Sequence, residues 1–191
     1  MNLEQSIKEL INNTQEETIN DIRKLFEEET YDEFFDKYEE VLDLSDIWED
    51  AEEFKEAIEE EEIDVNTLLV WYLASENVLL VLDWSGEEED GQVVEFINEK
   101  INQIYKLDLK LDAAYIYEMF EKGQYNSEPI KRGEHLPILF FELNKQLLKD
   151  NLEIVSFNTG SDEYFIAVLK EEVTKNLKDH DFNNVEIELF R

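Results

Sequence analysis

Asp83 and Trp84 close a continuous apolar run, Val78 to Leu82, and Asp162 and Tyr164 flank a turn made of Asn158, Thr159, Gly160, Ser161 and Asp162. If the strand before that turn runs parallel to Val78–Leu82, the two pairs meet at one end of a sheet, where strand termini favour ligand crevices. These four residues are the candidate site for a small ligand or for enzyme chemistry. The plainer role for the same residues is structural: Asp83 caps a turn, Trp84 packs under a helix, and Asp162 and Tyr164 satisfy a hairpin.

Other chemistry finds less support. The two histidines, His135 and His180, have no His-x-x-x-His spacing and the chain has no cysteine, so neither an ordinary zinc site nor a thiolate nucleophile is expected. Gly86 to Gly91 places a glycine at the sixth position of a calcium loop, but Ile97 stands where the bidentate glutamate belongs. No serine elbow, phosphate-binding Gly-rich loop or dinucleotide fingerprint is present. With 50 Asp and Glu residues, any chosen carboxylate pair is uninformative as a glycosidase site. The reading therefore predicts no metal and no cofactor, and it disfavours catalysis.

Charge is the dominant property. Seventeen basic residues against 50 acidic ones leave a net charge of -33 on 191 residues, which opposes nucleic-acid binding and anionic membranes and favours basic partners. The excess is concentrated: residues 1–64 hold 25 acidic and 5 basic residues. Apolar residues make up 42% of the chain and aromatic ones 12%, enough for a core, so the charge does not imply disorder.

The elements that must position these residues follow from periodicity. Residues 1–64 carry apolar stripes at three- and four-residue spacing, for example Leu3, Ile7, Leu10 and Ile11, and read as about four acidic helices. Val65 to Leu73 reads as a buried helix and Val78 to Leu82 as a central strand. Helices are expected around Val93 to Ile104, Leu111 to Glu121, and Pro137 to Lys149, with Gly123 to Gly133 as a loop. The C-terminal third supplies a hairpin, Leu152 to Phe157 and Tyr164 to Leu169, then a helix over Glu171 to Asp179 and a strand over Val185 to Phe190. The strand–helix–strand unit is long enough for a parallel crossover. The expected fold class is α+β, one domain over 1–191, with a helical N-terminal third (1–64) and a mixed sheet of about four strands packed with helices (65–191).

The succession Val78 to Trp84, an acidic turn, a helix, and then the hairpin with Thr159, Gly160, Ser161, Asp162 and Tyr164 resembles a family of uncharacterised bacterial acidic α+β domains, of the type also seen among toxin-immunity proteins. The resemblance covers about Leu69 to Arg191. It implies a small α+β domain of no assigned activity and brings no catalytic residues.

These observations lead to a set of functional expectations. The chain is expected to be a cytoplasmic bacterial binding protein, an immunity-type inhibitor that uses acidic helices, with Glu59, Glu60, Glu61 and Glu62 as partner-binding residues, to engage a basic protein. Neither direct nucleic-acid binding nor membrane insertion is expected. The alternatives are a nucleic-acid mimic, whose carboxylates imitate phosphate spacing, and a small-ligand or enzyme site at Asp83, Trp84, Asp162 and Tyr164.

Overall fold

The computed structural model describes residues 77–178 and 185–191, together with single positions between residues 52 and 74. The chain divides into two compact units, Met1–Leu79 with His180–Val185, and Leu80–Asp179 with Glu186–Arg191. In the first unit, Thr67, Val70, Trp71, Leu73 and Ala74 are helical, and Val70 and Leu73 are buried, as three-residue spacing on one helix face requires. Apart from Glu52 and Lys55 to Ala57, which are helical, the acidic helices expected over 1–64 lie outside the described residues.

The second unit begins with β1 (Leu80–Asp83), which leads through an acidic turn into α1 (Gln92–Lys100). Val93, Phe96, Ile97 and Ile101 are buried at three- and four-residue spacing, so the helix presents one apolar stripe. It widens into a π-helical stretch over Ile101–Tyr105 and stops where Lys106 takes a left-handed φ of 55°. Helix α2 (Ala114–Glu121) follows. The segment read as a loop holds a minimal hairpin, β2 (Gln124–Tyr125) and β3 (Glu128–Pro129). Its two central residues, Asn126 and Ser127, both have positive φ, the combination that matches the twist of a two-residue hairpin turn. Helix α3 (His135–Leu147) then crosses the unit and ends in a 3-10 turn over Leu148–Asp150. The chain continues as β4 (Leu152–Asn158), β5 (Glu163–Lys170), α4 (Glu171–Lys178) and β6 (Glu186–Leu189).

The sheet order is β1-β5-β4-β6 and every pairing is antiparallel. This corrects the expectation of a mixed sheet. The connection through α4 joins β5 and β6, which run the same way, but β4 lies between them. Two like-directed strands thus both pair with an oppositely directed one, and no parallel ladder forms among the described residues. By the same logic β1 and β4 run alike with β5 between them. The apolar run at Val78–Leu82 was expected to be central; it forms an edge strand of the described sheet, whereas β4, flanked on both sides, is buried at six successive positions.

One face of the sheet packs Leu82, Leu152, Ile154, Ile166 and Val168 against Val93, Ile97, Ile116, Leu139 and Phe140 of the three helices. Two buried polar side chains sit in this layer: Ser156, whose Oγ has no hydrogen-bond partner among the described residues, and Asn144 of α3, which accepts the Ile154 N–H at 2.6 Å and donates to the Phe190 carbonyl at 2.9 Å. Asn144 thereby serves backbone groups beyond the last β4–β6 pair, Val155 with Leu189, and a buried amide so paired fixes the helix to the sheet in one register. On the other face Glu153, Val155, Phe157, Phe165, Ala167 and Leu169 are also buried.

Candidate functional site

The two ends of the four-stranded sheet are chemically different. At the first end, β1 finishes beside the β4–β5 turn: Asp83 pairs with Glu163 and the Trp84 N–H donates to the Asp162 carbonyl at 3.0 Å. The sheet therefore brings Asp83, Trp84, Asp162 and Tyr164 together, because β1 and β4 run the same way. Each of them has local work. Asp83 accepts the Ser85 N–H at 2.7 Å, and hydrogen bonding from Ser85 holds its carboxyl below the ordinary value, with Arg132 adding to the effect. The Trp84 ring lies 4.5 Å beneath the Arg132 guanidinium, a cation–π geometry. Gly133 backs the same indole so closely that a Cβ there would sit 3.1 Å from Cε3. Tyr164 turns inward, edge-on to Phe140 at 5.7 Å, and burial, helped by the Glu188 charge, pushes its phenol up.

This end is also the acidic one. Asp83, Glu88, Glu89, Asp90, Asp162 and Glu163 are all exposed, and among the described residues none of the six forms an ion pair. Glu87, next in the same turn, is bound inward. Its carboxylate accepts the Val93 N–H at 2.8 Å and the Tyr117 hydroxyl at 2.9 Å. It thus stands in for the side-chain cap that Gly91, at the N-cap of α1, lacks. Burial pushes the Glu87 carboxyl up despite those bonds. Beside it a hollow of ≈ 310 Å³ is lined by Glu87, Tyr117 and His135 among others. His135 opens α3 and rests edge-on to Phe120 at 4.9 Å. None of the four sequence-predicted residues lines this hollow.

The opposite end is where β4 starts and β5 stops. Leu152 pairs with Lys170 there, and a cavity of ≈ 980 Å³ opens among Tyr105, Leu152, Glu153, Lys170, Lys175, Lys178, Leu189 and Arg191. The pairing of Val155 with Leu189, continued two residues along each strand, sets Glu153 opposite Arg191. The Arg191 Nε and Nη2 both donate to Glu153 Oε2, at 2.9 and 2.7 Å, and Nη2 also reaches Glu171 at 3.2 Å. The Glu153 side chain is 1% exposed and that of Arg191 50%. Glu153 Oε1 is buried with no hydrogen-bond partner among the described residues. A buried ionised oxygen left in that state is costly.

A third polar centre sits on α3. Glu142, 7% exposed, accepts the Tyr115 hydroxyl at 2.5 Å, the Tyr125 hydroxyl, and Lys145 Nζ at 2.5 Å. Burial alone would raise this carboxyl, but the three donors outweigh it and hold it below the ordinary range. The node ties α2, the β2–β3 hairpin and α3 together, and every oxygen is occupied. Among the described residues no cluster of His, Asp and Glu is arranged to hold a metal ion, and no helix is long and apolar enough to cross a membrane.

The partner-binding candidates Glu59 to Glu62, and His180, lie outside the described residues. Sequence reasoning missed Glu153, Arg191 and the Glu142 node. A signal existed for the first pair, because Glu153 interrupts the apolar run Leu152 to Phe157, and Arg191 continues the Val185, Ile187, Leu189 alternation. Glu142 gave only its i,i+3 spacing to Lys145, an ordinary helix-surface pattern, since its two tyrosine partners come from 17 and 27 residues away.

A family model described as a domain of unknown function (DUF6630) matches residues 5–181. The match takes in the acidic N-terminal region that the resemblance, beginning at about Leu69, left aside. No curated protein and no solved structure matches the chain.

Proposed function

We propose that this chain, which belongs to the DUF6630 family of domains of unknown function, is an acidic binding protein that docks a basic protein, acting as an immunity-type inhibitor in a bacterial cytoplasm. The observation that supports this reading is the gathering, at one end of the sheet, of six exposed carboxylates that form no ion pair among the described residues, in a chain of net charge -33. Carboxylates bound into a core serve the fold, as Glu87 and Glu142 do. Carboxylates left outward and unpaired raise a negative field that speeds encounter with a basic surface and repels acidic competitors. In this reading Glu59 to Glu62 also engage the basic partner, Asp83 and Asp162 belong to the exposed acidic set, and Trp84 and Tyr164 to the scaffold beneath it.

The test is capture of basic proteins on the immobilised chain at low and high salt, followed by association kinetics with the purified partner. Association is expected to fall steeply with salt. Changing Glu59, Glu60, Glu61 and Glu62 together to Gln, or Glu88, Glu89 and Asp90 to Gln and Asn, should slow association much more than it speeds dissociation, because rim charges act on encounter. Association indifferent to salt and to both variants would overturn the reading, and a partner that DNA displaces competitively would favour the nucleic-acid mimic instead.

A further inference from the structure

We infer that the cavity at the start of β4 binds a small organic anion that also carries an amino or hydroxyl donor. The inference is independent of the basic partner, which engages the opposite end of the sheet.

Two complementary deficits meet in this cavity. The first is a missing donor. Glu153 is held under Arg191, both guanidinium bonds fall on Oε2, and Oε1 is buried and unpartnered among the described residues. Buried polar atoms are nearly always paired, and one that is not calls for a partner such as a water, an ion or another molecule's donor. Of the two such atoms among the described residues, Glu153 Oε1 and Ser156 Oγ, only the first belongs to a residue that lines this cavity. An ammonium or hydroxyl group supplies that bond.

The second deficit is a missing acceptor. Lys170, Lys175 and Lys178 line the cavity, and none of them forms an ion pair among the described residues. Acidic residues outnumber basic ones about three to one in this chain, and acidic neighbours are close at hand. Asp150, Glu171 and Glu172 share the lining, and Arg191, not a lysine, takes Glu171. The lysines arise from one local cause: Lys170 ends β5, and Lys175 and Lys178 fall in the last turn of α4, all on the side where β4 begins. Counting side-chain charges, four cations balance four carboxylates here, against the strong negative excess of the rest of the chain. An anion can therefore enter with its phosphate or carboxylate toward the lysines, while its donor reaches Glu153. Tyr105, Leu107, Leu152 and Leu189 supply apolar wall, and a volume of ≈ 980 Å³ suits a metabolite-sized molecule.

Three phosphate monoesters of similar size separate the elements of this inference: phosphoethanolamine, which adds an amine, glycerol phosphate, which adds hydroxyls, and ethyl phosphate, which adds neither. Calorimetric titration of the full chain should show saturable binding of at least one of the first two, tighter than that of ethyl phosphate by about tenfold. Whichever of the two binds more tightly identifies the donor. Changing Lys170, Lys175 and Lys178 together to Gln touches only exposed side chains and should weaken all three ligands by about tenfold or more. Glu153→Gln should remove the preference over ethyl phosphate. No saturable binding of any ester, equal binding of all three, or binding unaffected by loss of the lysines would each overturn the inference.

Discussion

The two ends of the β1-β5-β4-β6 sheet each carry an arginine, and what those arginines do separates the ends. Arg132, at the end where β1 finishes, lies over the half-buried Trp84 ring amid carboxylates that face water. Arg191, at the end where β4 starts, covers a carboxylate that is wholly inside. In the first case charge sits in high dielectric, where pairwise energies are small and the summed field is what matters. In the second, one pair carries the cost of a buried ion. Charge abundance thus locates an outward surface, whereas charge burial locates a place of commitment.

The largest effect expected from this contrast is at the buried pair. Arg191→Ala leaves the Glu153 carboxylate uncovered, and should lower the unfolding free energy by about 3 kcal/mol in urea titrations. A loss below about 1 kcal/mol would indicate that water already solvates Glu153, and the ends would then not differ. Next comes Gly133→Ala at the other end. Gly133 has φ +82° and its added Cβ would press on Trp84, so a loss of about 1–2 kcal/mol is expected together with a shift in tryptophan emission. An unchanged spectrum would mean that Trp84 is not held by this contact. Arg132→Ala, which removes only a surface cation–π contact, should cost about 0.5–1 kcal/mol. A loss as large as that of Arg191→Ala would break the comparison outright.

The smallest effect is a titration. The carboxyl of Asp83 is held below its ordinary value of 3.8, so the stability that Ser85 hydrogen bonding lends is present above that value and is lost as pH falls through the lower folded pKa. Carbon-detected NMR of the Asp83 carboxyl should show that depressed midpoint. A midpoint at or above 3.8 would show that the turn does not favour the ionised form.

Much of the scaffold was legible before the structure, and the reasons are local. The stripe Val93, Phe96, Ile97 and Ile101 announced α1, and Asn158 to Asp162 announced the β4–β5 turn. The meeting of Asp83 and Trp84 with Asp162 and Tyr164 followed from one assumption about strand direction, and β1 and β4 do run the same way. Strand order was not legible. An apolar run such as Val78–Leu82 states that side chains are buried, but which strand lies between which others depends on contacts far apart in sequence. For that reason the expected mixed sheet proved antiparallel throughout. The Glu153 end was hidden for a related cause, since its importance comes from Arg191, 38 residues away, and from a register no local pattern records.

The central claim is that the two ends of one sheet serve different purposes, and amide chemical-shift mapping during titration with phosphoethanolamine and glycerol phosphate tests it most directly. The account predicts shifts confined to Asn151 to Glu153, Lys170 to Lys175, and Leu189 to Arg191, with Trp84, Ser85, Asp162 and Glu163 unmoved. Shifts centred on the Asp83–Trp84 turn, or none at either end, would contradict it.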